Sequence, residues 1–122
     1  MATWDDACAI LADLPGVEVA PPGQERVARV KGRRLAFVAE NDRSRPPRFG
    51  VDEVLAVRTE YPTRVALIAD DPDRYGVTPH YETYPAVLVR LPALSVDELR
   101  ELLTDGWRLL APKRLVRQLD ER

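Results

Sequence analysis

Residues 25–40 read Glu-Arg-Val-Ala-Arg-Val-Lys-Gly-Arg-Arg-Leu-Ala-Phe-Val-Ala-Glu. Two runs rich in strand-forming residues flank Gly32, and that punctuation decides the fold class. Residues 33–40 alternate, with Leu35, Phe37 and Ala39 on one side and Arg34, Ala36 and Val38 on the other. This is the period of a half-buried strand. Residues 25–31 match the same template more weakly. Gly32 permits the positive φ that a tight hairpin turn requires. The sheet therefore begins with an antiparallel pair, and the pair carries many cations.

Residues 53–58 and 86–91 add two further strands, the latter with Val87, Val89 and Leu91 on one face. Upstream, Thr3 is placed to cap a helix with Asp5 and Asp6 in its first turn. Trp4, Ala7, Cys8, Leu11 and Leu14 recur at helical spacing, and Pro15-Gly16 ends the run. Pro62 suits a helix start, although the following RVALIA also reads as a buried strand. Residues 71–84, rich in Pro, Asp and Gly, read as irregular. Ser95 and Glu98 form a capping box for a helix that Asp105-Gly106 is expected to break. Pro112 begins a terminal helix with Leu115, Val116 and Leu119 inward. The order α-β-β-β-α-β-α-α predicts a single α+β domain over residues 1–122. Its antiparallel sheet has about four or more strands, with helices packed on one face.

The 122 residues suit one domain, and 45% hydrophobic with 31% charged residues excludes bulk disorder. The single cysteine excludes an internal disulfide. No run approaches the ~18 apolar residues of a membrane span. The acidic N-terminal stretch lacks the basic region of a signal peptide, so the expected compartment is the cytoplasm. The formal net charge of −2 conceals segregation. Residues 1–25 carry net −5, 26–48 net +6, 49–107 net −6 and 108–122 net +3. Lys31 and Lys113 are the only lysines against sixteen arginines.

Chemistry is sparse elsewhere. One His and one Cys offer no metal-ligand spacing, and Asp70, Asp71 and Asp73 lie where a turn wants acids. Cys8 sits among apolar helix residues, where a thiol is usually inert. There is no phosphate-binding glycine loop and no nucleophile elbow. His80 is the one imidazole, within Thr78-Pro79-His80-Tyr81 and near Tyr84. The basic segments are more informative. Lys31, Arg33 and Arg34 lie on the hairpin, Arg43, Arg45 and Arg48 in the following loop, and Lys113, Arg114 and Arg117 on the last helix. A cationic hairpin and loop can grip a nucleic-acid backbone, and the guanidinium fork suits phosphate.

Several stretches recur together in a known order: Leu14-Pro15-Gly16-Val17-Glu18, the Gly32 hairpin into Leu35-Ala36-Phe37, and Thr78-Pro79-His80-Tyr81 through Tyr84-Pro85-Ala86-Val87-Leu88-Val89-Arg90-Leu91. Asp97-Glu98-Leu99 and Trp107 through Ala111-Pro112-Lys113-Arg114-Leu115 complete the pattern. In these the chain resembles the MmcQ/YjbR family of small bacterial proteins over nearly its whole length. The resemblance implies a CyaY-like (frataxin-like) α+β fold. Members of that family are commonly labelled DNA-binding through a double-wing arrangement, and no catalytic residues come with the resemblance. The loop 41–50 is longer and richer in arginine than the family pattern, and the net charge is acidic. Iron binding of the frataxin kind is not implied, since the first helix offers only Asp5, Asp6 and Asp13.

The expectation is a monomeric, non-enzymatic module of low sequence specificity that binds the phosphate backbone of DNA and uses no cofactor or metal. The alternative is a protein-interaction or small-ligand module built on His80, Tyr81, Tyr84 and Trp107. That alternative requires the four residues to line a shared concavity. An enzyme with His80 as base is the third reading, and it needs a carboxylate within hydrogen-bond reach of the imidazole.

Overall fold

Val30 pairs with Arg33, leaving Lys31 and Gly32 as a two-residue loop with φ of 52° and 77°. Two successive positive φ values match the turn whose twist suits a right-twisted hairpin. A computed structural model of the chain describes residues 1–40 and 45–122. The elements run α1 (Trp4–Ala12), β1 (Val17–Val19), β2 (Val27–Val30), β3 (Arg33–Val38), β4 (Val54–Arg58) and α2 (Tyr61–Asp70), then β5 (Tyr75–Gly76), β6 (Ala86–Arg90), α3 (Val96–Leu110) and α4 (Lys113–Asp120). Single 3-10 turns lie at Pro47–Phe49, Pro79–Tyr81 and Leu91–Ala93. The strands form one antiparallel sheet in the order β1-β2-β3-β4-β6-β5. This is the expected single α+β domain.

One sheet face carries the helices. Leu35, Leu55, Val57, Val87 and Val89 pack there with Leu11, Leu99, Leu103 and Trp107, all at most 1% exposed. Full burial of each large apolar side chain contributes roughly 1.5–3 kcal/mol. The other face is covered by loops: Val27, Phe37, Ala56 and Leu88 meet Phe49 and Tyr81, with Tyr84 at the edge. The expected capping box of Ser95 with Glu98 forms, and the expected Thr3 cap is completed to a box by Asp6.

RVALIA is helical, within α2, as the Pro62 start indicates, and the buried-strand alternative falls away. Three readings need correction. The short strands β1 and β5, three and two residues long, fall below any detectable alternation. Gly106 does not break α3, which runs through it. Instead it permits close packing, since a Cβ there would stand 2.7 Å from the Arg58 carbonyl oxygen. Finally, Ala28 pairs with Ala36 while Arg29 pairs with Arg34, so Leu35 is an extra, bulged residue. The bulge reverses the phase of the strand. Leu35 joins Ala36 and Val38 on the helix side, and Arg34 joins Phe37 on the other.

Candidate nucleic-acid interface

The bulge creates the site. With its phase reversed, Arg34 stands on the face away from the helices, directly opposite Arg29 on β2. Arg58, at the end of the neighbouring β4, shares that face. Its Nε and Nη2 donate to the Arg34 carbonyl oxygen at 3.2 and 3.1 Å, and Nη2 also reaches the Tyr84 hydroxyl at 3.4 Å. Three guanidinium groups thus cross three adjacent strands. The Arg34 guanidinium lies 4.3 Å from the Phe37 ring centre and 5.4 Å from that of Tyr84, and Arg58 lies 5.1 Å from Tyr84. Like charges directly opposite on a sheet are destabilising. Contacts with aromatic rings, worth about 0.5–1 kcal/mol at exposed sites, offset part of that cost. The ion pairs among the described residues are made by Arg26, Arg74, Arg90 and Arg108, not by this row.

The hairpin turn adds cations at the end of the row: Lys31 and Arg33 are exposed at its tip, Arg33 on the helix side, since it pairs with Val30. The last helix reaches the same end of the molecule, because Leu115 packs on Gly16 and the next residue, Val17, pairs with Val30 just before the turn. Arg33 also shares a shallow cleft with Leu110, at the end of α3. Lys113, Arg114 and Arg117 are exposed on α4. The two basic segments, sixty residues apart in the chain, therefore occupy one end of the fold.

The loop arginines differ. Arg45 donates to the carbonyl oxygens of Gly50 and Asp52. Arg48 donates to those of Pro72 at 2.9 Å and Tyr75 at 2.8 Å and stacks on Phe49. Arg45 thus closes its own loop and Arg48 ties that loop to the β5 edge, so both guanidinium groups are already engaged by backbone carbonyls. Arg43 lies outside the described residues. Arg64, which sequence reading passed over, is buried and donates to the carbonyls of Tyr81, Glu82, Tyr84 and Ala86. It thereby anchors the segment that carries Tyr84. Arg29 and Arg58 were also passed over. Each follows apolar strand residues, but only the strand register reveals that they align.

His80, Tyr81, Tyr84 and Trp107 do not line one shared concavity. His80 is exposed and meets Tyr81 edge-on at 4.8 Å, while Tyr81 and Tyr84 cluster with Phe37. Trp107 is 0% exposed on the opposite side of the sheet, where its Nε1–H donates to the Pro15 carbonyl at 2.8 Å. The helical face of α3 sends it there. Among the described residues no carboxylate lies within 4.0 Å of the imidazole. Burial, and then the nearby Asp5, push the Cys8 thiol up, away from the reactive thiolate. Among the described residues no three His, Cys, Asp or Glu side chains are grouped to hold a metal ion, and no helix is long and apolar enough to cross a membrane.

Fold and site together define a small α+β protein with a guanidinium-rich sheet face at one end. The chain belongs to one family with the uncharacterized protein Rv2570 of Mycobacterium tuberculosis (strain ATCC 25618 / H37Rv) and the uncharacterized protein Mb2600 of Mycobacterium bovis. It is 40% identical to each over 124 residues, covering 95% of this chain and 94% of the relative. No family model matches the chain. Its fold is shared with protein DR2400 of Deinococcus radiodurans, whose crystal structure is described as a DUF419 domain. The TM-score is 0.69 at 20% identity, over 98% of this chain and 89% of that one.

Proposed function

We propose that this protein is a monomeric, non-enzymatic module that binds DNA through its phosphate backbone with low sequence specificity, and that its family falls within the MmcQ/YjbR group. The observation that carries the reading is the row Arg29, Arg34 and Arg58, continuous with the Lys31-Gly32-Arg33 turn. Strands about 4.8 Å apart spread the three guanidinium groups over ~10 Å, a span that meets several phosphates of one duplex. The planar forks of Arg29 and Arg34 on a rigid sheet can each take two phosphate oxygens, and Arg58, whose Nε and Nη2 hold the Arg34 carbonyl, offers its Nη1. Such contacts set position and carry no base information, hence the low specificity. Lys113, Arg114 and Arg117 supply a second set of contacts from the same end. The motif order from Leu14 to Leu115 and the fold shared with DR2400 support the wider family placement. A cytoplasmic setting, where nucleic acid is accessible, goes with this reading.

The test is a salt titration of binding to a generic labelled duplex. Affinity is expected to fall steeply between about 50 and 200 mM salt, with each lost phosphate contact shallowing the logarithmic slope by roughly 0.9. Absence of binding at the lowest salt, or binding indifferent to the Arg33→Ala and Arg34→Ala changes, overturns the proposal.

A further inference from the structure

A second site lies on the helix side. A cleft of about 450 Å³ opens between α2 and α3, within the range of about 300–1,000 Å³ typical of small-molecule sites. Leu67, Leu102 and Leu109 give it an apolar wall. Its rim carries Glu60, Glu101 and Asp105. The cations that border it are engaged elsewhere: Arg58 turns to Arg34 and Tyr84, and Arg108 pairs with Asp120 at 2.8 Å. The remaining acid, Glu98, is held by Arg74 and the Ser95 N–H. Three carboxylates therefore face the cleft with no cation within 4.0 Å among the described residues.

Tyr75 adds an independent sign of a ligand. It is 8% exposed and lines the cleft, yet among the described residues nothing hydrogen-bonds its hydroxyl. Burial chiefly, and then the Glu98, Asp71 and Glu101 charges against the opposing pull of Arg74, push its pKa up and keep that hydroxyl protonated, able to donate or accept. The acids do not converge enough to hold a metal ion. Glu101 and Asp105, four residues apart on α3, are offset by about 6 Å along the helix axis. Dispersed negative charge over an apolar wall suits an extended cation better than a point charge.

We propose that the cleft binds a linear aliphatic oligoamine. Its methylene chain lies along Leu67, Leu102 and Leu109, and its ammonium groups pair with Glu60, Glu101 and Asp105. The Tyr75 hydroxyl accepts from an ammonium group near the Glu101 side. Only Arg58 borders both this cleft and the arginine row; Arg29 and Arg34 lie on the other side of the sheet, and the site does not depend on the nucleic-acid reading.

Calorimetric titration of the full chain with spermidine at low salt tests the proposal. One-to-one saturable binding is expected, weakened at least tenfold by Glu101→Gln with Asp105→Asn and several-fold by Leu109→Ser. Arg34→Ala should leave it unchanged. Leu67 and Leu102 methyl resonances of the unaltered protein should shift on addition of spermidine, a readout that no folding defect in a variant can obscure. Absent saturable binding, methyl resonances that do not move, equal affinity in the carboxylate variant, or equally effective occupation by magnesium chloride each overturn it.

Discussion

Gly106, in the middle of α3, lies against the carbonyl oxygen of Arg58: a Cβ at that position would stand 2.7 Å from this oxygen, with Leu35 Cδ1 at 3.1 Å. The helix approaches the sheet as closely as a bare backbone allows. Ala in place of Gly gains about 1 kcal/mol of helix propensity, whereas overpacking against backbone costs roughly 1–3 kcal/mol. Gly106→Ala is therefore expected to destabilise the fold by about 1 kcal/mol in urea denaturation. A gain in stability would refute the close approach.

Arg64, 7% exposed, joins α2 to four carbonyls of the 81–86 segment. Arg64→Met leaves several of those acceptors without donors, at ~1–3 kcal/mol each where they stay dry. A loss above about 2 kcal/mol is expected by chemical denaturation. Arg64→Lys should restore only part of it, because one ammonium group cannot reproduce the planar fork.

Arg48 and Arg33 should separate stability from binding. Arg48→Ala removes two hydrogen bonds to the Pro72 and Tyr75 carbonyls and is expected to cost about 1 kcal/mol while leaving the salt slope of DNA binding unchanged. Arg33→Ala at the exposed turn should shift stability by less than about 0.5 kcal/mol and shallow the slope by roughly 0.9. The paired measurements are a thermal melt and a salt titration. The opposite pattern would reverse the assigned roles.

Acid should loosen the start of α3. The Glu98 carboxylate accepts the Ser95 N–H at 3.0 Å and Arg74 Nη1 at 2.6 Å, and these bonds, the Ser95 one foremost, hold its carboxyl below the usual carboxylate range. Its unfolded form takes up a proton more readily than its native form. The stabilisation is therefore complete above the ordinary Glu range and is lost as pH falls through and below it. Tm between neutral pH and about pH 3 should fall less steeply in Glu98→Gln than in the unaltered protein. Parallel Tm profiles would rule the contribution out.

Local chemistry was legible wherever neighbours in sequence decide the outcome. The Thr3 cap, the Ser95 box, the Gly32 turn, the apolar runs of β4 and β6 and the inward face of α4 all follow from side chains within four residues of one another. Helix propensity at Gly106 pointed the wrong way because tertiary packing, not the isolated helix, sets its worth.

Hydrophobic period, capping and turn chemistry are properties of short stretches, so the α+β class, the Gly32 hairpin and the two basic segments were readable before any tertiary contact was known. Only the tertiary structure decided what those cations do. A single bulged residue, Leu35, turned Arg34 toward Arg29 and Arg58, while carbonyls distant in the chain claimed Arg48. The sheet itself separated His80 from Trp107. Strand register and long-range hydrogen bonds depend on which segments meet, and charge counted along the chain carries no record of that.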